Sequence, residues 1–202
     1  MPAMNIVFAT HNDHKVLEAR ASLGPHYQVT SLSTLGWTAE IPETAETLIG
    51  NALLKARAVA ERLGQACFAD DTGLEIEALG GKPGVWTARF AGPRATALEN
   101  REKTLRLMAG QENRKAVFTT VIVLIIDGQE HVFQGQVAGV ITSREQGAEG
   151  FGYDPIFKPN GFEGTYAEIP LVTKARMSHR ALAIGQLKEF LDHRARQSEA
   201  QS

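Results

Sequence analysis

The sequence predicts a mixed α/β fold, and three observations support this class. Strand-like apolar segments alternate with helical segments in the first half of the chain. Two long strand-like segments, 115–127 and 131–142, flank a short polar turn and indicate an antiparallel hairpin. Hydrophobic residues make up 43% of the 202 residues, enough to bury a core. Together these features predict a mixed sheet flanked by helices, with a cleft and two lobes in one domain spanning 1–202.

Each element is predicted from its local pattern. The segment 46–64 has an apolar stripe with helical spacing, which predicts a helix. Gly24-Pro25 ends an earlier predicted helix at 14–24. The polar tail 195–202 is expected to be disordered. The predicted strands are 5–10, 27–32, 66–69, 74–79, 115–127 and 131–142, and the predicted helices are 14–24, 46–64, 95–110 and 178–194.

Composition excludes several classes of protein. The formal net charge of −2 provides no broad basic surface for nucleic acid, so no nucleic-acid partner is expected. No apolar run approaches the ~20 residues of a membrane helix, and the first ten residues lack a signal-like pattern. The single cysteine, Cys67, excludes an internal disulfide and is typical of a buried hydrophobe in a reducing compartment. We therefore expect a cytoplasmic protein without a membrane partner.

The first candidate motif is THNDHK at 10–15, between a predicted strand and helix. Thr10 and Asn12 can donate hydrogen bonds to phosphate oxygens, and Lys15 adds a positive charge near the helix start. Helix capping and solvation are the alternative reading of this loop. His11 and His14 are interpreted as surface histidines rather than metal ligands.

Two acidic motifs follow. Asp70 and Asp71 stand in ADDTG at the end of a predicted strand, where a carboxylate pair can bind Mg²⁺ or activate water. A turn rich in aspartate is the alternative. Glu43 precedes the second helix. There it can act as a metal ligand, or its negative charge can interact favourably with the helix dipole. Lys55 borders that helix's apolar stripe and can snorkel to the surface or reach into a cleft.

Two later motifs suit a purine base. In GFGYDPIF at 150–157, Phe151 and Tyr153 can stack on a base, and the Asp154 carboxylate can accept from a ring N–H. A structural glycine turn with core aromatic residues is the alternative. The segment KARMSHRA at 174–181 gathers cationic side chains near a helix start, which suits either an anion or a solvated basic face.

Taken together, the motifs strongly resemble those of the inosine triphosphate pyrophosphatase family. The matching blocks are FATHNDHK, GNALLKARA, ADDTGLEIEALGGKPGVWTARFAG, GFGYDPIFKPNGFEGTYAEI and SHRALAI, in order from about residue 6 to 190. The resemblance implies an elongated mixed sheet in two helix-flanked lobes, with a central substrate cleft. It also implies a Mg²⁺-dependent homodimer that hydrolyses ITP, dITP and XTP to the monophosphate and pyrophosphate, cleansing the nucleotide pool.

The resemblance assigns roles by position. Asp71 is implied as the water-activating catalytic base and a metal ligand, with Glu43 and, less firmly, Asp70 as further metal ligands. The implied substrate-binding residues are Thr10, His11, Asn12, Asp13, His14, Lys15, Lys55, Thr72, Phe151, Gly152, Tyr153, Asp154, Lys174, His179 and Arg180. The family loop usually has glycine where His11 and His14 stand, and a positive φ at position 11 would cost histidine about 1 kcal/mol.

The predicted mechanism combines metal binding with recognition of the base edge. Lys15 and Lys55 would neutralise phosphate charge while water, positioned by Asp71, attacks phosphorus. Arg180 or a backbone N–H would face the 6-keto group, and Asp154 would face N1–H, leaving adenine mismatched. The alternative functions are an orthophosphate-releasing nucleotide phosphatase and a non-catalytic purine nucleotide sensor.

Overall fold

A computed structural model describes the backbone of residues 4–200 and confirms the mixed α/β class. The chain divides into two compact units, each assembled from separate stretches of sequence. Unit 1 contains the chain up to Asp71, then Thr120–Gly135, and the chain from Arg180 onward. Unit 2 contains Thr72–Thr119 and Gln136–His179.

Within residues 4–200 the fold has seven strands and five α-helices. The strands are β1 (Met4–Phe8), β2 (Tyr27–Ser31), β3 (Cys67–Ile76), β4 (Pro83–Gly84), β5 (Lys115–Ile126), β6 (Gln129–Ile141) and β7 (Phe157–Pro159). The helices are α1 (Asp13–Leu23), α2 (Leu48–Leu63), α3 (Ala97–Leu107), α4 (Leu171–Met177) and α5 (His179–Ala200). The strand order is β2-β1-β3-β5-β6-β7, with β4 paired to β3.

In unit 1, helices cover both faces of the parallel strands β1, β2 and β3. One face packs against α1 and α5, and there Phe8 and Phe68 stack with ring centroids 4.3 Å apart. The other face packs against α2 and includes Cys67 and Ala69. Because side chains alternate across a strand, successive residues of β3 point to different helices. This alternation decides where the two aspartates of β3 lie.

Unit 2 has its own apolar core. Residues of β3 after Asp71, of β5 and β6, and of the segment 153–169 contribute to it. The antiparallel strands β6 and β7 pair there through Gly139 and Pro159. A Cβ on Gly139 would lie 2.3 Å from the Lys158 carbonyl oxygen, so this close approach requires glycine.

The structure corrects the predicted secondary structure in four places. The segments 66–69 and 74–79 were predicted as separate strands, but Cys67–Ile76 is one strand that continues through ADDTG. The hairpin turn lies at Asp127-Gly128, where φ is 50° and 74°, one residue earlier than expected. Helix α4 was not predicted. Helix α5 continues to Ala200, so the prediction of a disordered tail is wrong for 195–200, while 201–202 lie outside the described residues.

None of the helices within residues 4–200 is long and apolar enough to cross a lipid bilayer.

Candidate active site

Asp70 and Asp71 are both buried in the middle of β3, not in a turn. They point to different helices, because Asp70 contacts Lys15 of α1 and Arg180 of α5, whereas Asp71 contacts Asn51 of α2. Only 1% of Asp70 and 8% of Asp71 is exposed. Burying a carboxylate is costly without cationic or hydrogen-bonding partners, so the two environments can be compared by what compensates each charge.

The Asp70 carboxylate has a cation on each oxygen. Lys15 Nζ donates to Oδ1 at 2.8 Å, and Arg180 Nε donates to Oδ2 at 3.0 Å. Burial alone would raise the pKa of Asp70, but the charges of Lys15 and Arg180 outweigh it and hold that pKa well below its usual range. Asp70 is therefore an anion whose charge is matched within the protein.

Arg180 is itself shared between two carboxylates. Its Nη1 donates to Glu18 Oε2 at 2.5 Å, in addition to the bond from Nε to Asp70. Burial would lower the pKa of Arg180, yet Glu18 and Asp70 raise it above its usual value. Sequence analysis placed Arg180 beside the purine base, but in the structure its guanidinium is held by acids of unit 1.

The pKa of Asp71 shifts in the opposite direction to that of Asp70. Asn51 Nδ2 donates to its Oδ2 at 3.1 Å. Burial, followed by the negative charge of Glu43, raises the pKa of Asp71 despite the opposing effect of Lys55. A carboxylate with a raised pKa beside a second carboxylate is typical of a site that receives a cation or a proton.

Lys55 and Glu43 form an ion pair next to Asp71. Lys55 Nζ contacts Glu43 Oε1, and only 11% of the lysine side chain is exposed. Burial would lower the pKa of Lys55, but Asp70, Glu43 and Asp71 together raise it. Lys55 therefore carries its charge near three acids, and the snorkelling alternative does not describe its position.

The loop at 10–15 caps helix α1. Asn12 Oδ1 accepts from the backbone N–H groups of His14 and Lys15 at 3.0 and 3.3 Å, and Thr10 Oγ1 accepts from Asn12 N. The capping reading of Asn12 is thus realised, while Lys15 turns inward to Asp70. Asp13 and His14 begin the helix on its exposed surface.

His11 does not strain the loop. Within residues 4–200 the only non-glycine residue with positive φ is Asp127, so the expected conformational cost at position 11 does not arise. The His11 ring instead contacts the Ala39 carbonyl oxygen through Nε2 at 3.3 Å, and Ser33 Oγ through Nδ1 at 3.5 Å. Its side chain joins this loop to the segment before Glu43.

In unit 2, Asp154 organises the GFGYDP loop. Its Oδ2 accepts from Phe151 N at 2.8 Å and from Lys174 Nζ at 2.6 Å. A Cβ on Gly150 would lie 2.2 Å from that same oxygen, and Gly150 has a φ of 77°, so the loop requires glycine there. The Lys174 ammonium lies 5.3 Å from the Phe151 ring centroid, within cation–π range.

The aromatic residues of this loop differ in exposure. The Tyr153 ring is buried and its hydroxyl donates to the Thr87 carbonyl oxygen at 3.0 Å, as the core-aromatic alternative predicted. Phe151 and Gly152 are half-buried. His179 is also buried, with its ring stacked on Phe118 at 4.6 Å between centroids. Phe151 is therefore the better-placed ring for stacking on a ligand.

The structure thus assembles two groups of the predicted residues, one in each unit. The group in unit 1 contains Thr10, His11, Asn12, Asp13, His14, Lys15, Glu43, Lys55, Asp70, Asp71 and Arg180. The group in unit 2 contains Thr72, Phe151, Gly152, Tyr153, Asp154, Lys174 and His179. Arg180, predicted with the base-binding residues, belongs to the first group.

Comparison with known proteins identifies the family. The model of the Ham1 family matches residues 6–190. The chain belongs to the Ham1 family. It is 49% identical over 187 residues to a dITP/XTP pyrophosphatase of Porphyromonas gingivalis, covering 92% of this chain and 96% of that protein. It is 45% identical over 188 residues to a dITP/XTP pyrophosphatase of Flavobacterium johnsoniae, covering 93% and 98% of the two chains.

A solved Ham1 structure has the same fold. The Staphylococcus aureus Ham1 protein superimposes with a TM-score of 0.83 at 37% identity, covering 94% of this chain and 99% of that one. The family resemblance expected from the sequence motifs is confirmed.

Two polar residues of this Ham1 chain were missed by sequence analysis. Asn51 lies one helical turn before Lys55, and Glu18 lies one turn after Lys15. Residues at such spacing share a face of a helix, so both could have been found by asking which polar residues accompany the two lysines.

Proposed function

We propose that the protein hydrolyses dITP, ITP and XTP to the nucleoside monophosphate and pyrophosphate. The observation that carries this proposal is the carboxylate of Asp71, which is buried, is held by Asn51 and lies beside the ion pair of Lys55 and Glu43. Membership of the Ham1 family and the names of its dITP/XTP pyrophosphatase relatives support the same reaction. A pyrophosphatase of this kind acts on small nucleotides and needs no nucleic-acid or membrane partner.

Mg²⁺ is the proposed cofactor, and the residues of unit 1 fit it. No group of three or more His, Cys, Asp and Glu side chains in the part of the chain described here forms a complete protein cage. Mg²⁺ does not need one, because it commonly takes one or two carboxylates with waters and substrate phosphates. Glu43 and Asp71 would hold it, and when bound it would neutralise developing negative charge on the phosphates. We leave Asp70 out of this set because each of its oxygens already accepts from a cation.

Asp71 is the proposed base that positions and deprotonates the attacking water. Asn51 fixes the orientation of the carboxylate through Oδ2, and the raised pKa brings Asp71 closer to the value useful for proton transfer. Lys15 and Lys55 supply positive charge for the triphosphate, so pyrophosphate can leave with its charge balanced. Positioning and electrostatics would carry most of the rate acceleration.

Unit 2 supplies the proposed base-binding group. Phe151 would stack on the purine, and the ammonium of Lys174 would donate to an oxygenated purine edge. Asp154 holds both of these groups, so we revise its predicted contact with N1–H to a supporting role. Adenine has an amino group where inosine has the 6-keto acceptor. That amino donor would face the donor of Lys174, and no hydrogen bond would form.

The test is a panel of ITP, dITP, XTP, GTP and ATP, assayed with Mg²⁺ and with EDTA, scoring pyrophosphate and orthophosphate separately. We expect pyrophosphate release from the first three substrates and none after chelation. Orthophosphate release would indicate the alternative phosphatase. Binding of ITP without turnover would indicate the alternative sensor. Equal kcat/KM for ATP and ITP would refute the proposed base selection.

The homodimer implied by the resemblance remains part of the proposal. Light scattering coupled to size-exclusion chromatography tests it directly, and a mass near 22 kDa, that of one chain, would contradict it.

A further inference from the structure

The segment 43–47, which carries Glu43, is attached to helix α2 at two neighbouring points. Asn51 Oδ1 accepts from the backbone N–H of Ala45 at 2.9 Å. Ala45 also lies against Gly50, because a Cβ built on that glycine would be 2.6 Å from the Ala45 Cβ. A methyl group at position 50 would therefore push the segment away from the helix.

The other side of the Asn51 amide reaches strand β3. Its Nδ2 donates to Asp71 Oδ2 at 3.1 Å, and the asparagine has no exposed surface. A backbone N–H can only donate and a carboxylate accepts, so the amide oxygen must face Ala45 and the amide nitrogen must face Asp71. One short side chain thus connects the segment that carries Glu43 with the strand that carries Asp71.

The residue type at position 51 suits this connection. The neighbouring α2 residues Ala52, Ala56 and Val59 are buried in an apolar cluster, where an aliphatic side chain would avoid the cost of burying an amide. An aspartate of the same shape would lack the donor for Asp71, and a leucine would make neither hydrogen bond. Asparagine carries both the acceptor and the donor that these two partners require.

We propose that Asn51 is a positioning residue that sets the separation of Glu43 and Asp71. A shift of either acid-bearing segment would stretch or break a buried hydrogen bond of the amide, which is costly. The kinetic consequence rests on the proposed function, in which these two acids hold Mg²⁺. The geometry itself can be tested without turnover.

The first test is steady-state kinetics of Asn51→Ala with ITP over a series of Mg²⁺ concentrations. The substitution removes both hydrogen bonds, so the two acids are no longer held in one arrangement. We expect kcat to fall by about tenfold or more, and the Mg²⁺ concentration for half-maximal rate to rise by about tenfold. KM for ITP at saturating Mg²⁺ should change little, because Asn51 is not among the proposed substrate contacts.

Asn100→Ala is the matched control. Asn100 is a buried asparagine of helix α3 that also makes two hydrogen bonds, from Ala91 N at 2.7 Å and to the Ala88 carbonyl oxygen at 3.0 Å. Its loss should lower the melting temperature without changing kcat or the Mg²⁺ dependence. If Asn51→Ala likewise lowers only the melting temperature, Asn51 is structural and the proposal is wrong.

The second test moves the Glu43 segment while leaving Asn51 intact. Glycine-to-alanine changes within a helix usually stabilise it, but Gly50→Ala should displace Ala45, lower kcat and raise the Mg²⁺ requirement. Adding Ala45→Gly removes the opposing methyl group and should restore most of both quantities, with only Thr47 Oγ1 left close, at 3.0 Å. Wild-type kinetics for Gly50→Ala, or no recovery in the double variant, would contradict the proposal.

The third test is a crystal structure of Asn51→Ala without nucleotide or metal. We expect the Asp71 carboxylate to rotate and the backbone at Ala45 to move by about 1 Å, a misplacement large enough to impair catalysis. An unchanged arrangement of Glu43 and Asp71 would refute the positioning role. This result does not depend on which nucleotide is hydrolysed, so it is separate from a failure of the proposed function, which the wild-type nucleotide panel would reveal.

Discussion

Asp70 and Asp71 are neighbours in sequence but differ in how the protein treats their charge. The carboxylate of Asp70 faces α1 and α5, where Lys15 and Arg180 lower its pKa. The carboxylate of Asp71 faces α2, where burial and Glu43 raise its pKa. Because both side chains are buried in one strand, the difference comes from their partners rather than from depth.

The comparison distinguishes an acid with a structural role from an acid suited to metal binding or proton transfer. An acid whose oxygens are both occupied by cations holds those cations in place and is a poor base. An acid with a raised pKa and an amide partner is better suited to bind a metal ion or accept a proton. Adjacent aspartates can perform both tasks because a β-strand turns successive side chains to opposite faces.

The largest expected effect is on catalysis by Asp71→Asn. Losing the proposed base and metal ligand should lower kcat for ITP by at least about 100-fold. Its effect on the free energy of unfolding should be small, because burial raises the pKa of Asp71 and its charged form therefore does not favour the folded state. Pyrophosphate release and urea denaturation measure the two quantities. A near-normal kcat would show that Asp71 is not the base.

The opposite pattern is expected for Asp70→Asn. This change leaves Lys15 and Arg180 without their shared counter-charge, and breaking a buried ion pair in this way costs about 3–5 kcal/mol of unfolding free energy. Urea denaturation followed by circular dichroism measures the loss. Glu130→Gln, which breaks the exposed pair with Arg57, is the control and should change stability little. Equal stability of the Asp70 and Asp71 variants would remove the distinction between the two acids.

A variant of Asp154 in unit 2 tests whether a second acid paired with a buried cation also has a structural role. Like Asp70, it accepts from a buried cation, Lys174, and it also holds the backbone of Phe151. We expect Asp154→Asn to loosen the proposed base-binding loop and raise KM for ITP by about tenfold, equivalent to about 1.4 kcal/mol of binding free energy. Inhibition by inorganic tripolyphosphate, which has no base, should be unchanged. A parallel loss of tripolyphosphate inhibition would contradict the assignment of Asp154 to base binding.

Sequence patterns predicted the helices of unit 1 well but misjudged β3. The α2 stripe and the capped α1 follow local rules of spacing and capping, so their positions could be read directly. The stretch Asp-Asp-Thr-Gly has turn propensity, yet it is strand because β3 lies between β1 and β5 in the sheet, pairing with β1 before this stretch and with β4 after it. Tertiary pairing outweighed local preference there.

Prediction of the candidate site was likewise limited to features that local sequence determines. Motifs identified Lys15, Asp70 and Arg180, but not that they contact one another, because these contacts join residues 55 and 110 positions apart. The contact of Glu18 with Arg180 joins residues 162 positions apart and could not be inferred from the sequence either. The concern over His11 came from the family pattern, and only the backbone angles of this chain could remove it.

The smallest expected effect uses Cys67 as a probe of the β3 face that carries Asp71. Cys67 packs against α2 with no exposed surface, its Sγ contacts the Ala56 carbonyl oxygen, and burial raises its pKa to about 11. At pH 8 roughly one thiol in a thousand would be ionised, so a thiol reagent should react far more slowly with the native protein than in urea. Leu17→Cys, at an exposed site on α1, is the control for intrinsic reactivity and should react rapidly. If native Cys67 reacted as fast as the control, α2 would open readily from β3. The raised pKa of Asp71 could then no longer be attributed to burial.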